Sequence, residues 1–282
     1  MERFKKFITK DKNDGVFPSY VHGKHAEISP KKNDGVVPNY VHGKHALVKK
    51  EIKETTEHKD FHGIEGYAEH HKEFDSPEHM DEHLGEHYDK HVAEHPDLHH
   101  VKAYTSSSEI NGELLAQHKH GGELAPHEQK QVEGLDRILS SKPAEIEHHT
   151  YSGLGFDPSR HVNEHGHLHS PAYTSSSPDI NIASQFAKPI NKNTGNQDFY
   201  GEHNPDVVRH VLKIKIPKGS THGLYVNGSS NYGRHVKANG LNDEKEFLIK
   251  RGINYKINPT PTVIKNGQGR VTHHIHHAEI VE

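Results

Sequence analysis

The spacing of apolar residues changes along the chain and divides it into a polar first part and a patterned second part. Ser76 followed by Pro77 is typical of a helix start, so residues 76–94 are predicted to form a helix. Apolar residues three or four apart predict two further helices, one around Ile110 and Leu114 and the other at residues 132–139.

After residue 148, short apolar segments separated by turns replace this helical spacing. Strands are predicted at residues 150–156, 207–216, 223–226, 246–249, 255–257 and 271–281. Residues 211–216 end in alternating apolar and basic side chains, which is typical of a half-buried strand. Helices followed by many strands predict an α+β fold.

Residues 1–55 contain a duplicated segment with too few apolar residues to build a core. Residues 13–26 return as residues 33–46 with two differences, and each copy contains Asn-Asp-Gly and a proline, which favour turns. Two copies are also fewer than a solenoid needs. We interpret this region as a flexible Lys-rich arm, either a duplicated linker or a docking or packaging peptide.

Residues 56–100 are predicted to be a His-rich helical segment. His79, His83, His87, His91 and His95 recur every four residues, which places neighbouring imidazoles on one helical face, where two of them can share a Zn²⁺. A solvated polar face also gives this spacing, and we favour it because the chain uses histidine throughout, with 32 in all. We therefore predict that the chain holds no metal.

Composition narrows the classes of protein to consider. Apolar residues make up 30% of the 282 residues and the mean hydropathy is -0.95, which predicts a compact core with long solvated segments. The absence of cysteine excludes disulfides, thiolate metal sites and cysteine nucleophiles. No apolar run approaches the roughly 20 residues of a membrane span, and the first residues lack an apolar signal region. We therefore expect a cytoplasmic protein without a membrane partner.

Three segments contain candidate chemistry. Residues 148–158 predict a strand running into a glycine turn, where the backbone can approach a ligand. Residues 171–177 predict a strand ending in hydroxyls that can bind a carboxylate. Glu244 and Glu246 are two residues apart, so on an extended segment they share one face, and their repulsion raises one pKa. We expect both carboxylates on an exposed loop.

In this order, the three segments resemble the mono-ADP-ribosyltransferase exoenzyme family, in the form carried by large tailed bacteriophages. Residues 175–177 match the Ser-Thr-Ser motif with serine in the middle, residues 182–186 match the helix that follows, and residues 244–246 match the Glu-x-Glu motif. The resemblance covers residues 101–282, the predicted transferase domain. Residues 103–108 repeat the sequence of residues 172–177, and we assign the motif to the second copy.

The resemblance implies a split β-sandwich of the ADP-ribosyltransferase type with N-terminal helices. It also implies an enzyme that cleaves NAD⁺, releases nicotinamide and transfers ADP-ribose to a target protein, with arginine as the acceptor because residue 244 is glutamate. Glu246, held by Ser175, would stabilise the developing cation, and Glu244 would orient or deprotonate the acceptor. The residues implied to contact NAD⁺ are Tyr151, Ser152, Gly153, Ser175, Ser176, Ser177 and Phe186.

One departure from the family pattern affects phosphate binding. The family has an arginine, which contacts the NAD⁺ phosphates, at the position of Ser152, and His149 or Arg160 is a candidate substitute. The expected partner is a host protein in the bacterial cytoplasm, with packaging in a virion as a further hypothesis. An NAD-capped RNA as donor, and the oligomeric state, stay open.

Two other functions stay in competition. A non-enzymatic His-rich metal-binding protein is suggested by residues 165–169 and 273–277, which are dense in histidine. On a strand, His273 and His277 face one way and His274 and His276 the other. A degenerate NAD-binding protein packaged in the phage is suggested by the missing arginine.

Overall fold

The computed structural model describes residues 76–198, 206–231, 233 and 243–281. The predicted arm at residues 1–55 and its repeats lie outside these ranges. The described chain begins with four helices, α1 (Pro77–Glu94), α2 (Leu98–Ser106), α3 (Glu109–His120) and α4 (Pro126–Leu139). None of the helices in these ranges is long and apolar enough to cross a membrane.

The strands follow, with one short helix among them. They are β1 (His148–Leu154), β2 (His167–Ser170), β3 (Thr174–Ser176), α5 (Ile180–Phe186), β4 (Pro189–Asn191), β5 (Val207–Ile216), β6 (Gly223–Tyr225), β7 (Phe247–Ile249), β8 (Ile253–Ile257), β9 (Thr262–Lys265) and β10 (Val271–Val281). A 3-10 turn at Pro158–Arg160 follows β1. All six strands predicted from the sequence overlap observed strands, and the predicted α+β class is confirmed.

Local sequence signals account for the helix ends. The Ser76 side chain accepts a hydrogen bond from the His79 backbone N–H at 3.1 Å, which satisfies a donor in the first turn of α1. At the start of α4, the Ala125 N–H donates to the Glu128 carboxylate at 2.7 Å. Helix α3 ends at Gly121, whose φ of 71° is a conformation that glycine adopts without strain.

Helix α1 packs into the same core as the strands. Met80, Leu84, Tyr88 and Val92 recur every four residues and are each at most 2% exposed. This apolar face lies beside the histidine stripe, of which the first member is exposed and the other four are half-buried. The described part of the segment 56–100 is therefore joined to the core of the domain, while the domain limits at residues 55 and 100 stay a prediction.

Two sheets make up the β part. The larger has seven strands in the order β1-β5-β10-β8-β2, with β4 added to β5 and β9 added to β10, and the smaller has the order β3-β7-β6. The β5–β10 pair is parallel, whereas the other pairs are antiparallel. Tyr151 and Ser177 exchange two backbone hydrogen bonds, of 2.7 and 2.8 Å, and so connect the two sheets.

Two apolar clusters fill the domain. The larger combines the helices α1 to α4 with one face of both sheets. The smaller lies between α5 and the other face of the large sheet, and it consists of Tyr151, Ile180, Ala183, Ala187, Val211 and Ile275. Strand β1 therefore has a buried layer on each side, which fixes where its alternating side chains go.

Candidate functional site

The buried carboxylate of Glu246 is the centre of the candidate site. Glu246 directly precedes β7, which pairs with β3 so that Ser175 lies opposite Leu248. The Ser175 hydroxyl donates to the Glu246 carboxylate, and Ser230 Oγ donates to Oε2 at 3.3 Å. Glu246 is 6% exposed, so the expectation of an exposed loop is wrong for this residue, because the β3–β7 pairing carries it into the core.

Burial and hydrogen bonding act on Glu246 in opposite directions. Burial raises the pKa of the carboxyl, and the two hydroxyl donors lower it, with a net rise. Two hydroxyl donors that bind one buried carboxylate hold it in position. A carboxylate that stabilises positive charge in a transition state must be held in position in this way.

A second layer of hydrogen bonds holds Ser175. The Tyr104 hydroxyl lies 3.1 Å from Ser175 Oγ, and Asn111 Nδ2 donates to the Tyr104 hydroxyl at 2.9 Å. The same Asn111 amide donates to the Tyr173 carbonyl at 3.0 Å and accepts from the Tyr173 N–H at 3.0 Å. Helices α2 and α3 thus fix the serine on β3 through Tyr104 and Asn111.

Glu244 lies two residues before Glu246 and is half-buried. Burial, together with the nearby Glu246 and Asp243 carboxylates, raises the pKa of Glu244 to about 8. The predicted repulsion between Glu244 and Glu246 is therefore present. The segment between them is not a regular strand, because Lys245 has a φ of 47°.

Lys245 holds this turn through three contacts. Its N–H donates to Asp243 Oδ1 at 3.1 Å, and its Nζ lies 3.3 Å from both Glu78 and Asp179. Burial alone would lower the pKa of Lys245, but the Asp179 and Glu78 carboxylates raise it. The lysine joins the loop to the start of α1 and to the residue before α5.

Ser176 and Ser177 make contacts that hold the strands together. Ser176 Oγ donates to the Phe247 carbonyl at 2.6 Å and accepts from Thr150 Oγ1 at 2.8 Å. The Ser177 backbone pairs with Tyr151, and Ser177 Oγ accepts from the Asp179 N–H at 3.2 Å.

The residues of β1 that the resemblance implied for NAD⁺ binding lie on two opposite faces of the strand. Ser152 faces the site, where its Oγ donates to the Ser175 carbonyl at 2.9 Å. Tyr151 and Gly153 face α5, the helix that contains Phe186. A Cβ on Gly153 would lie 2.1 Å from the Ala183 carbonyl oxygen, so this glycine permits close packing of the helix.

The two candidate substitutes for the family arginine differ in position. His149 is on β1 and is 9% exposed. Arg160 lies in the 3-10 turn after β1, where Nη2 donates to the Lys192 carbonyl at 2.6 Å and Nε lies 3.6 Å from Asp157.

Sequence reasoning assigned no role at the site to several residues that surround the carboxylates, namely Tyr104, Asn111, Asp179, Ser230 and Lys245. One signal was present for Tyr104, because it lies in the first copy of the hexapeptide that recurs at residues 172–177. The other four are ordinary polar residues whose role depends on which strands and helices meet.

A family model and several solved structures are similar to this chain. The family model described as ADP-ribosyltransferase exoenzyme matches residues 81–277. An ADP-ribosyltransferase from Clostridium botulinum is similar over 74% of this chain and 98% of its own, at 19% identity and a TM-score of 0.50. The ADP-ribosyltransferase Vis, solved with an inhibitor, is similar over 77% and 91%, at 16% identity and a TM-score of 0.50.

A third solved structure is also similar to this chain, whereas the curated proteins gave no match. A protein from S. aureus, solved with NAD, is similar over 72% of this chain and 95% of its own, at 16% identity and a TM-score of 0.48. The search of curated proteins found no match.

Proposed function

Because this chain belongs to the ADP-ribosyltransferase exoenzyme family, we propose that it cleaves NAD⁺ and transfers ADP-ribose to arginine on a target protein. The observation that supports this most strongly is the buried Glu246, with hydroxyl donors from Ser175 and Ser230 and a second carboxylate two residues away. No metal takes part in the proposed reaction.

The proposed reaction breaks one bond and forms another at a single carbon. Nicotinamide leaves with the electron pair of its bond to C1′ of the ribose, and C1′ develops oxocarbenium character, as in glycoside hydrolysis. The Glu246 carboxylate stabilises this positive charge and accepts a hydrogen bond from a ribose hydroxyl. The acceptor nitrogen then bonds to C1′ and loses a proton.

Glu244 is assigned to the acceptor. It is half-buried, whereas Glu246 is almost fully buried, so a large guanidinium can approach Glu244 from solvent. A carboxylate at this place accepts hydrogen bonds from the guanidinium and takes its proton as the new bond forms. Water needs less orientation than a guanidinium, so hydrolysis of NAD⁺ depends less on Glu244 than transfer does.

Two matched substitutions test these roles. Glu246→Gln keeps the shape and removes the charge, so it is expected to lower both transfer and NAD⁺ hydrolysis by roughly 10²–10³-fold. Glu244→Gln is expected to lose transfer to an arginine acceptor while keeping much of the hydrolysis. Glu86→Gln, on the exposed side of α1, is the control. Full activity in Glu246→Gln would refute the site.

The raised pKa of Glu244 gives the proposal a pH signature. The ionised form is the one that takes a proton, and its pKa is about 8, so the ratio of transfer to hydrolysis should rise as pH increases from 7 to 9. In Glu244→Gln the ratio should not change over this range. A ratio independent of pH in the unsubstituted protein would contradict the assignment.

The acceptor is identified by transfer from labelled NAD⁺ in a bacterial lysate, followed by mass spectrometry of the modified residue. Modified arginine on a host protein is the expected result. A parallel reaction supplied with NAD-capped RNA in place of free NAD⁺ shows which of the two is used as the donor. NAD⁺ binding without turnover would instead indicate a degenerate NAD-binding protein packaged in the phage. That hypothesis rests on the serine that replaces the family arginine at position 152.

A further inference from the structure

Three histidines converge on one face of the large sheet. His210 of β5 lies opposite His274 of β10 in the parallel pair, and His276 is two residues further along β10. Side chains two residues apart share one face of a strand, so His274 and His276 lie on the same side. One ring nitrogen of each of the three lies within 4.8 Å of the others.

The cluster is largely protected from water. His210 and His276 are each 2% exposed, His274 is half-buried, and His210 Nδ1 lies 2.9 Å from His276 Nε2. Burial disfavours the charged form of an imidazole, and the neutral form is the one that binds a metal.

A carboxylate lies beside the three rings. Asp157, in the segment after β1, places Oδ1 3.8 Å from His210 Nδ1. Ser159 donates to this oxygen from its N–H at 3.0 Å and from its Oγ at 2.6 Å. These two bonds orient the carboxylate, as the groups around bound metals are oriented.

We propose that His210, His274 and His276 bind a Zn²⁺ ion, with Asp157 as the fourth ligand. Nitrogen and oxygen ligands in a tetrahedron are the usual set for zinc. Zn–N bonds of about 2.0–2.1 Å place ligand nitrogens roughly 3.3 Å apart, so the pair at 2.9 Å needs to separate by only a few tenths of an ångström. Three neutral imidazoles and one carboxylate leave the ion with a single positive charge.

The proposed role of the ion is structural. It would join β5, β10 and the segment after β1, beyond Leu154, which pairs with His210. Ser152 lies two residues earlier on β1, so the ion would stabilise the strand that faces the site without taking part in NAD⁺ cleavage. This proposal departs from the expectation that the chain holds no metal. That expectation was based mainly on the histidine stripe of α1.

Cobalt binding tests the site, because the visible spectrum of bound Co²⁺ reports the geometry of its ligands. The full chain, purified without a histidine tag, is titrated with Co²⁺, and the visible spectrum is recorded. We expect one Co²⁺ per chain with the strong d–d absorption of a tetrahedral ion, which Zn²⁺ displaces. No tetrahedral spectrum in the unsubstituted chain would overturn the proposal and leave a hydrogen-bonded histidine pair.

Two neighbouring residues on β10 provide a matched pair of variants. His274→Gln removes a ligand, and metal affinity should fall at least tenfold. His273→Gln changes the adjacent residue, whose Nε2 lies 2.9 Å from Ser184 Oγ on the other face, and should bind as the unsubstituted chain does. Equal binding by both variants would overturn the assignment. Circular dichroism verifies folding, and Asp157→Asn, expected to weaken binding and alter the spectrum, decides the outcome if His274→Gln does not fold.

Discussion

Residues 103–108 and residues 172–177 have the same sequence, Ala-Tyr-Thr-Ser-Ser-Ser, yet the first copy ends a helix and the second forms a strand. The first copy continues α2, which has already begun at Leu98. The second is flanked by Pro171 and Pro178, and each proline disfavours helical backbone in the residue before it. The apolar strand β7 is then available to pair with it. Neighbouring sequence and the partner strand decide the conformation, because the propensity of the six residues is a weak preference.

The two copies also contact each other. The rings of Tyr104 and Tyr173, which occupy the same position in each copy, meet edge to face with centroids 5.8 Å apart. The tyrosine of the helical copy reaches Ser175 of the other copy, whereas Tyr173 donates to the Val132 carbonyl at 3.1 Å and to Asp136 at 2.9 Å. The strand copy thus contains the serine of the site, and the helical copy positions it.

The largest expected difference between the copies is at their equivalent serines. Ser175→Ala removes the hydroxyl that donates to Glu246, and a hydrogen bond to a charged group contributes about 1.5–3 kcal/mol, so NAD⁺ cleavage should fall by roughly 10–100-fold. Ser106→Ala is the matched control, since Ser106 Oγ donates to the Lys102 carbonyl and accepts from Asn231. Its cleavage rate should stay within about twofold. Similar losses in both variants would show that the copies are not functionally distinct.

A smaller difference is expected at the two tyrosines. Tyr104→Phe removes two neutral hydrogen bonds, one with Ser175 and one from Asn111. The bond with Ser175 is worth about 0.5–1.5 kcal/mol, so cleavage should fall by roughly two- to tenfold. Tyr173→Phe removes the one hydroxyl that donates to both Val132 and Asp136, and it should lower the free energy of unfolding by about 1–2 kcal/mol, with the cleavage rate of the folded protein unchanged. Steady-state kinetics and thermal unfolding separate the two effects. Slower NAD⁺ cleavage in Tyr173→Phe than in Tyr104→Phe would contradict the assignment of the positioning role to the helical copy.

This division between the copies shows what the sequence could predict. The motif serine and the Glu-x-Glu pair are short, ordered signals, and the resemblance located them without a structure. Tyr104 was missed because its copy lies outside the motif order, and its contact with Ser175 spans 71 positions of sequence. The burial of Glu246 was missed for a related reason, since it depends on β3 pairing with β7.

Two further features were only half predictable. The histidine spacing of α1 was visible, but the apolar residues Met80, Leu84, Tyr88 and Val92 repeat with the same period, and they determine how the helix packs. Alternation on a strand placed His274 and His276 on one face. Their meeting with His210 requires the parallel pairing of β5 with β10, two strands far apart in the chain, which alternation alone does not specify.

The smallest expected effect tests what keeps the second copy extended. Pro171→Ala removes the proline that precedes it, which frees the unfolded chain and relaxes the restriction on Ser170, at an expected cost of about 0.4–1 kcal/mol. Three residue pairs with β7 and the two hydrogen bonds of Ser176 remain, so the strand should persist and Ser175 should stay beside Glu246. The melting temperature should then fall by about 1–4 °C with cleavage unchanged. A native melting temperature with a large loss of cleavage would contradict this expectation, because it would mean that the proline, and not the pairing with β7, sets the position of the serine.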